Sequence, residues 1–337
     1  MGKEERKALI QELENLTNSK ILVLFLGDRR GLETKIASDI IPLMFKHLSN
    51  FNEVEKINLF LYTTGGVTIS GYSLVNLIRE YCKEFGVIIP FKALSTGTLI
   101  ALGANTIIMS KMGQLGPVDP SVNHPLAPRA KNPSNPTQEL LVPVNVEDVL
   151  SYFELAKKEA QTNSEKELNE VLRSLSNGVH PIVLGAVNRA RDQIKFLTKT
   201  LLQSHMDDNK KIDEIVKTLL EQRFSHDYLV GRTEAKNILK LNIIDVSQEI
   251  NEATLKLYDE FSDLMELNNL YLPEEVLEGK ETVDATFFRG AVESSDLTHL
   301  YTTVRRIQRV QIKQQGVAVT RYSETPLEEG WVENDED

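Results

Sequence analysis

Ile57-Asn58-Leu59-Phe60-Leu61-Tyr62-Thr63-Thr64-Gly65-Gly66 is the stretch that decides the fold. A short, nearly continuous apolar run closed by Gly-Gly reads as a strand buried on both faces, as in a parallel sheet. Two runs of the same texture flank it. Ile21-Leu22-Val23-Leu24-Phe25-Leu26 ends at Gly27-Asp28, and Val87 to Leu94 opens into Ser95-Thr96-Gly97-Thr98. Thr106-Ile107-Ile108-Met109 makes a fourth, shorter one. Between the runs the apolar residues recur at helical spacing: Leu9, Ile10, Leu13 and Leu16, then Ile36 to Leu48. A third helix is expected from Ile69 to Phe85, stopped by Gly86 and burying Cys82 on its apolar side. Strand, helix, strand, helix, strand is the pattern of right-handed βαβ crossovers, so the class is α/β.

Further along, the texture changes. Seven of the twelve prolines fall between Pro117 and Pro143, so residues 117–145 read as a long proline-rich loop. Residues 146–224 read as a helical region. Leu229-Val230 and Ile243 to Val246 read as short strands around a helix from Thr233 to Leu241, with another helix from Ser247 to Asn268. Between Thr298 and Tyr322, Val304, Ile307, Val310, Ile312, Val317 and Val319 surround Gln314-Gln315-Gly316, which signals a β-hairpin. The expected organisation is a principal domain over 1–268 and an extension over 269–337 that carries the hairpin and an acidic tail.

The 38 basic and 49 acidic residues give a net charge of −11, a surface that repels phosphate backbones, so nucleic acid is not expected as a ligand. A single cysteine rules out an intramolecular disulfide and a Cys-rich zinc site, and fits a reducing cytoplasmic compartment. The N-terminus is charged and helical in pattern, unlike a signal peptide. The longest apolar stretch, Gly97 to Met109, is too short to span a bilayer, though a peripheral membrane contact stays open. No GxGxxG fingerprint follows a strand, and no cofactor or metal is expected.

The chemistry concentrates at two strand ends. Thr64-Gly65-Gly66 and Ser95-Thr96-Gly97 close consecutive βα units, and ligands in open α/β sheets bind at the carboxyl ends of strands. A serine at such a turn exposes its hydroxyl. The N–H of Thr96 lies in the first helical turn, without an intrahelical partner. Gly66 has no side chain to shield its own N–H. Two such donors on one point would stabilise an oxyanion. The plain alternatives are an N-cap role for Ser95 and a tight turn or anion nest at Gly65-Gly66.

The segments Leu61 to Gly66, Ala93 to Leu102 and Leu115-Gly116-Pro117-Val118-Asp119-Pro120 together resemble the Clp protease and signal-peptide-peptidase superfamily, which shares the crotonase-like fold. Within it the chain is most similar to the serine dehydrogenase proteinase family, with Thr96 replacing the first glycine of a Ser-Gly-Gly motif. Phe224 to Tyr228, Glu234-Ala235 and Ile243 to Asp245 extend the likeness to residues 20–265. The resemblance implies stacked ββα units with a parallel sheet and a helical insertion. It implies a serine peptidase, with Ser95 as nucleophile, Gly66 and Thr96 as the oxyanion hole, and Asp227 at the position of the Clp acid. The Clp histidine position falls near Val118-Asp119, where there is no histidine. The base is therefore open among His226 beside Asp227, which is favoured, His124, and Lys131 as a Ser–Lys dyad. Asp119 could orient a histidine. A polypeptide substrate, a homo-oligomer and an ATPase partner are the implied partners. Two other readings use the same fold: a crotonase-type acyl-CoA enzyme, and a non-catalytic oligomeric scaffold.

Overall fold

The computed structural model describes residues 2–51, 53–118, 121–132, 135–160, 165–221, 228–314 and 317–334. They fall in two compact units: Met1–Leu115 with Leu229–Asp337, and Gly116–Tyr228. The first unit begins α1 (Lys3–Thr17), β1 (Lys20–Leu26), α2 (Ile40–Phe51), β2 (Val54–Tyr62), α3 (Thr68–Arg79) and β3 (Cys82–Ile89). It continues β4 (Lys92–Ala93), α4 (Thr96–Leu102), β5 (Thr106–Met109) and β6 (Gln114–Leu115). The second unit holds β7 (Ser121–Val122), β8 (Arg129–Asn132), β9 (Asn135–Leu141), β10 (Val144–Asn145), α5 (Val146–Ala160), α6 (Glu165–Gly178), α7 (Pro181–Gln203) and α8 (Asn209–Glu221). The chain returns to the first unit with β11 (Val230–Gly231), α9 (Arg232–Asn237), α10 (Gln248–Leu264), α11 (Pro273–Leu277), β12 (Thr282–Glu293), β13 (Thr298–Gln314) and β14 (Val317–Glu333).

The fold is mixed α/β. One seven-stranded sheet has the order β14-β13-β12-β1-β2-β3-β5. β1, β2, β3 and β5 are parallel, and β12, β13 and β14 add antiparallel on the β1 side. Ile21 to Leu26 are fully buried, as an uninterrupted apolar strand requires. Phe25 stacks on Tyr62 at 4.3 Å and on Phe261 at 5.0 Å. Ile10 and Leu13 of α1 and Leu257 of α10 join the same core. A smaller sheet, β11-β6-β4, receives Thr63 through a parallel bridge to Ala93. The run β3-β4-α4 is therefore a strand, a short second-sheet strand and a helix, the ββα unit that the resemblance implied. The second unit pairs β7 with β10 and β8 with β9, and has its own core of Ala127, Val144, Val146, Val183 and Val187.

The helix expected from Ile36 begins at Ile40, and Ile243 to Val246 holds one isolated bridge, at Ile243, in place of a strand. Three larger features differ from the sequence reading. First, α3 stops at Arg79, and Cys82 opens β3 opposite Val54. Gly86 does not stop a helix: it sits mid-strand, where a Cβ would lie 1.9 Å from the Asn58 side-chain oxygen. Cys82 is half-buried, and desolvation pushes its thiol above the ordinary range, which suits a packing role. Second, the proline-rich stretch is not one loop, because it carries the short strands β7 to β10. Third, residues 269–337 do not stand apart. β12 pairs antiparallel with β1, Val23 opposite Glu293 and Leu26 opposite Gly290, so these strands complete the sheet of the first unit. The hairpin signal at 298–322 is matched by β13 and β14, which are longer than the signal.

Two buried polar contacts tie α1 and α2 to these C-terminal strands. Arg6 donates to Glu293 at 2.9 Å, with both side chains out of solvent. Burial raises the Glu293 carboxyl, and the guanidinium opposes that shift. His47 is fully buried, with Nδ1 2.8 Å from Ser294 Oγ and Nε2 2.9 Å from His299 Nδ1. An N–H···N bond needs one proton between its rings, so a second proton would break it. Desolvation, then the nearby His299 and Lys46, hold His47 down at about 3, while Glu333 opposes them. The unfolded chain thus binds a proton that the folded chain refuses. Stability from the unprotonated His47 ring is full above pH ~6.5 and is lost as pH falls through the interval toward 3. Thermal unfolding between pH 7.5 and 4.5 tests this: wild type should lose midpoint temperature more steeply than His47→Gln, and parallel curves would count against it.

Candidate active site

The site grows from the C-terminal ends of β2 and β4. Thr63 N–H donates to Lys92 O at 2.9 Å, and Leu94 N–H donates to Thr63 O at 3.0 Å. This stitch brings the Gly65-Gly66 turn against Ser95. A Cβ on Gly65 would lie 2.8 Å from Ser95 Cβ and 3.2 Å from Ser95 Oγ. Gly65 has φ 116° and Gly66 φ 152°, backbone that L side chains rarely adopt.

Each peptide around the turn is held. Ile36 N–H donates to Gly65 O at 2.9 Å, and Val67 N–H donates to Ile36 O at 2.7 Å. The buried Thr63 hydroxyl accepts from Gly65 N–H at 2.9 Å. The Thr96 hydroxyl donates to Gly66 O at 2.8 Å. Ile36 comes so close that a Cβ on Gly66 would fall 2.2 Å from its carbonyl oxygen. Among the described residues, no hydrogen bond engages the N–H of Gly66 or of Thr96.

Ser95 occupies the N-cap position of α4, yet its side chain makes no capping bond. Its backbone sits at φ 51°, ψ −112°. A non-glycine residue there carries strain of order 1–3 kcal/mol, a cost that clusters at functional sites. The half-buried hydroxyl has no hydrogen-bond partner among the described residues. Of the two sequence readings, the capping role is not the one seen. The turn can therefore present a hydroxyl and two amide donors together.

The base candidates divide otherwise. His124 is in a turn of the second unit, its Nδ1 accepting from Leu126 N–H at 3.1 Å. Lys131 is exposed on β8, opposite Glu139 of β9. Asp119, His226 and Asp227 lie outside the described residues. Nearby, Asp28 accepts from Tyr62 and from Lys92 at 2.7 and 2.6 Å, which lifts the Tyr62 phenol well above its ordinary value, burial being the larger cause. Among the described residues, no group of three or more His, Cys, Asp or Glu could hold a metal ion. No described helix is long and apolar enough to cross a membrane. Sequence reasoning missed Ile36, Thr63 and Gly71. Gly71 makes room for the Thr96 methyl, since a Cβ there would lie 2.4 Å from it, and a glycine inside a helix was the available signal.

These strand-end motifs have a match. Residues 45–136 match the family described as ClpP-like SDH-type serine proteinase. The serine proteinase family implied by the motifs is thus the one found, over the segment that holds Gly66, Ser95 and Thr96. Two uncharacterised proteins of Methanocaldococcus jannaschii are similar in sequence. One is 28% identical over 182 residues, 54% of this chain and 51% of the relative. The other is 41% identical over 66 residues, 20% of this chain and 23% of the relative. The chain spans about half the length of the first and less of the second. Among solved structures, an alanine mutant of the 1510-N membrane-bound stomatin-specific protease overlaps 64% of this chain and 76% of its own, at 14% identity and TM-score 0.38. A second alanine mutant of that protease, in complex with a substrate peptide, overlaps 68% and 77%, at 13% and 0.39. A ClpP1 mutant from Listeria monocytogenes overlaps 71% and 98%, at 13% and 0.35.

The Gly66–Ile36 contact makes a prediction independent of activity. Gly66→Ala should destabilise the chain by more than about 1 kcal/mol, because alanine at positive φ is strained and its methyl meets backbone. Gly185→Ala, in open space on α7, should be neutral or stabilising by roughly 0.5–1 kcal/mol. Equal effects in chemical denaturation would contradict the contact.

Proposed function

We propose that the chain is a serine peptidase that cleaves peptide bonds through an acyl-enzyme on Ser95. The observation that carries this is the strained, uncapped Ser95 turn packed against Gly65-Gly66. In the proposed reaction the Ser95 hydroxyl oxygen attacks the substrate carbonyl and its proton passes to a base. Gly66 and Thr96 N–H hold the oxyanion. The base then protonates the leaving amine, and water hydrolyses the ester. Such donors contribute roughly 10²–10³ in rate each. The match to a serine proteinase family over residues 45–136 supports this reading.

A serine needs an adjacent base at neutral pH. His226 with Asp227 is the pair we favour, with Asp119 as the alternative orienting acid. His124 is a second histidine. Lys131 is the third candidate, exposed on β8. A crotonase-type acyl-CoA reading would use the same two amides, but it gives the strained Ser95 no task.

A serine-directed fluorophosphonate probe tests the proposal. Wild type should label and Ser95→Ala should not; labelling that persists overturns the nucleophile. Thr96→Val should label about 10–100-fold more slowly, since it frees the Gly66 carbonyl and lets the turn drift. Thr96→Ser keeps the hydroxyl and should stay near wild type. With a histidine base, labelling should rise with pH through about 6.5 and vanish in the variant lacking that histidine.

A further inference from the structure

Three chain segments meet at the Ser95 turn, and each passes a strand end on the way. Asp28 follows β1 and leads through a loop to Ile36, Tyr62 closes β2 and leads to Gly65-Gly66, and Lys92 opens β4 and leads to Ser95. One carboxylate touches all three. Asp28 Oδ1 accepts from the Tyr62 hydroxyl at 2.7 Å, and Oδ2 accepts from Lys92 Nζ at 2.6 Å. The Asp28 and Lys92 side chains are 17% and 27% exposed, so most of the pair is out of water. Lys92 Nζ lies 4.9 Å over the Phe91 ring, and Phe91 belongs with Tyr62, Tyr258 and Phe25 to one aromatic cluster. A charge pair against such a surface is screened less than one in open solvent.

The loop between Asp28 and Ile36 is also fastened to the C-terminal strands. Arg289 of β12 donates to the carbonyls of Leu32 and Glu33, and Arg305 of β13 donates to that of Gly31. Those bonds fix the loop beside β12 and β13, but they do not reach β2 or β4. Asp28 supplies that link. The loop is thereby closed against the β2 segment at both ends, by Asp28 with Tyr62 at its start and by Ile36 with Gly65 at its finish.

Resting on the serine peptidase reading above, we propose that Asp28 is a positioning residue of this site: its carboxylate sets the spacing between the turn that carries the Gly66 N–H and the strand that delivers the Ser95 hydroxyl. It acts through Lys92 and Tyr62. The Lys92 carbonyl accepts from Thr63 N–H, and Leu94 N–H returns to Thr63 O, so a shift of Lys92 moves Ser95 against the Gly65-Gly66 turn. Asparagine at 28 keeps the shape and one acceptor oxygen, but loses the charge that draws the ammonium in. Misplacing reacting groups by about 1 Å costs on the order of 10²-fold in rate.

Labelling of the full chain by the fluorophosphonate probe, followed as rate against probe concentration, tests this. Asp28→Asn should lower the maximal rate about 10–100-fold and leave the half-saturating concentration within about twofold. Lys92→Met should do the same, which also covers the case of an Asp28 variant that fails to fold, and Lys92→Arg should restore most of the rate by keeping the charge. The double variant should be no slower than either single one, because both remove the same contact. An unchanged rate overturns the proposal. So does a fall only in the fraction of chains that label, which is what a merely structural role would give. Amide hydrogen exchange supplies a reading that needs no catalysis. In Asp28→Asn the Ile36, Val67 and Leu94 amides should exchange at least about tenfold faster relative to those of β3, and a uniform change across the chain overturns the proposal. If wild type takes no probe, the peptidase reading fails by itself and exchange alone decides the place of Asp28.

Discussion

The whole site depends on a backbone crossing. Ile36 lies across Gly66 with no room for a side chain, donating to one flanking peptide and accepting from the other. That crossing fixes the peptide plane that carries the Gly66 N–H. Thr63 holds the same turn from within, and Thr96 holds the next carbonyl. In the reaction proposed above, an N–H fixed this way would need no reorganisation when negative charge develops before it, which is the physical basis of oxyanion stabilisation. The strain at Ser95 is sustained by the same frame: the Thr63–Ala93 bridge anchors the chain before it, and α4 anchors the chain after it.

Away from the site, the sheet is secured by polar groups that water does not reach. Arg6 with Glu293, and His47 with Ser294 and His299, join N-terminal helices to C-terminal strands. Such pairs add little net stability against an apolar alternative, but losing one partner leaves the other buried and unsatisfied, at a cost of about 3–5 kcal/mol for an ion pair. Of these groups, Glu293 lies on β12, the strand that sits beside β1. The C-terminal segment is part of the sheet that positions the turn, not an appendage to it.

The parallel core was legible because Ile21–Leu26 and Ile57–Tyr62 are apolar on both faces, and only buried strands tolerate that. Ser95 was legible as a position but not as a role, since a cap and a nucleophile occupy the same place in sequence. The missing capping bond sets the cap reading aside, and it is a tertiary fact, as is the positive φ. Gly86 misled because a glycine can end a helix or admit a neighbour's side chain, here Asn58. β12 was hidden because its pairing with β1 is sealed by Glu293, a residue that looks solvent-exposed until Arg6 is found beside it. Ile36 misled as well: its apolar spacing read as the start of a helix, whereas α2 begins at Ile40 and Ile36 contributes through its backbone atoms.

The most direct measurement is a crystal structure of the chain after reaction with a phosphonate inhibitor. The account predicts a covalent bond from Ser95 Oγ to phosphorus, with the phosphoryl oxygen about 3 Å from both Gly66 N and Thr96 N. A phosphonate attached to another residue, or an oxygen turned away from both amides, would contradict it.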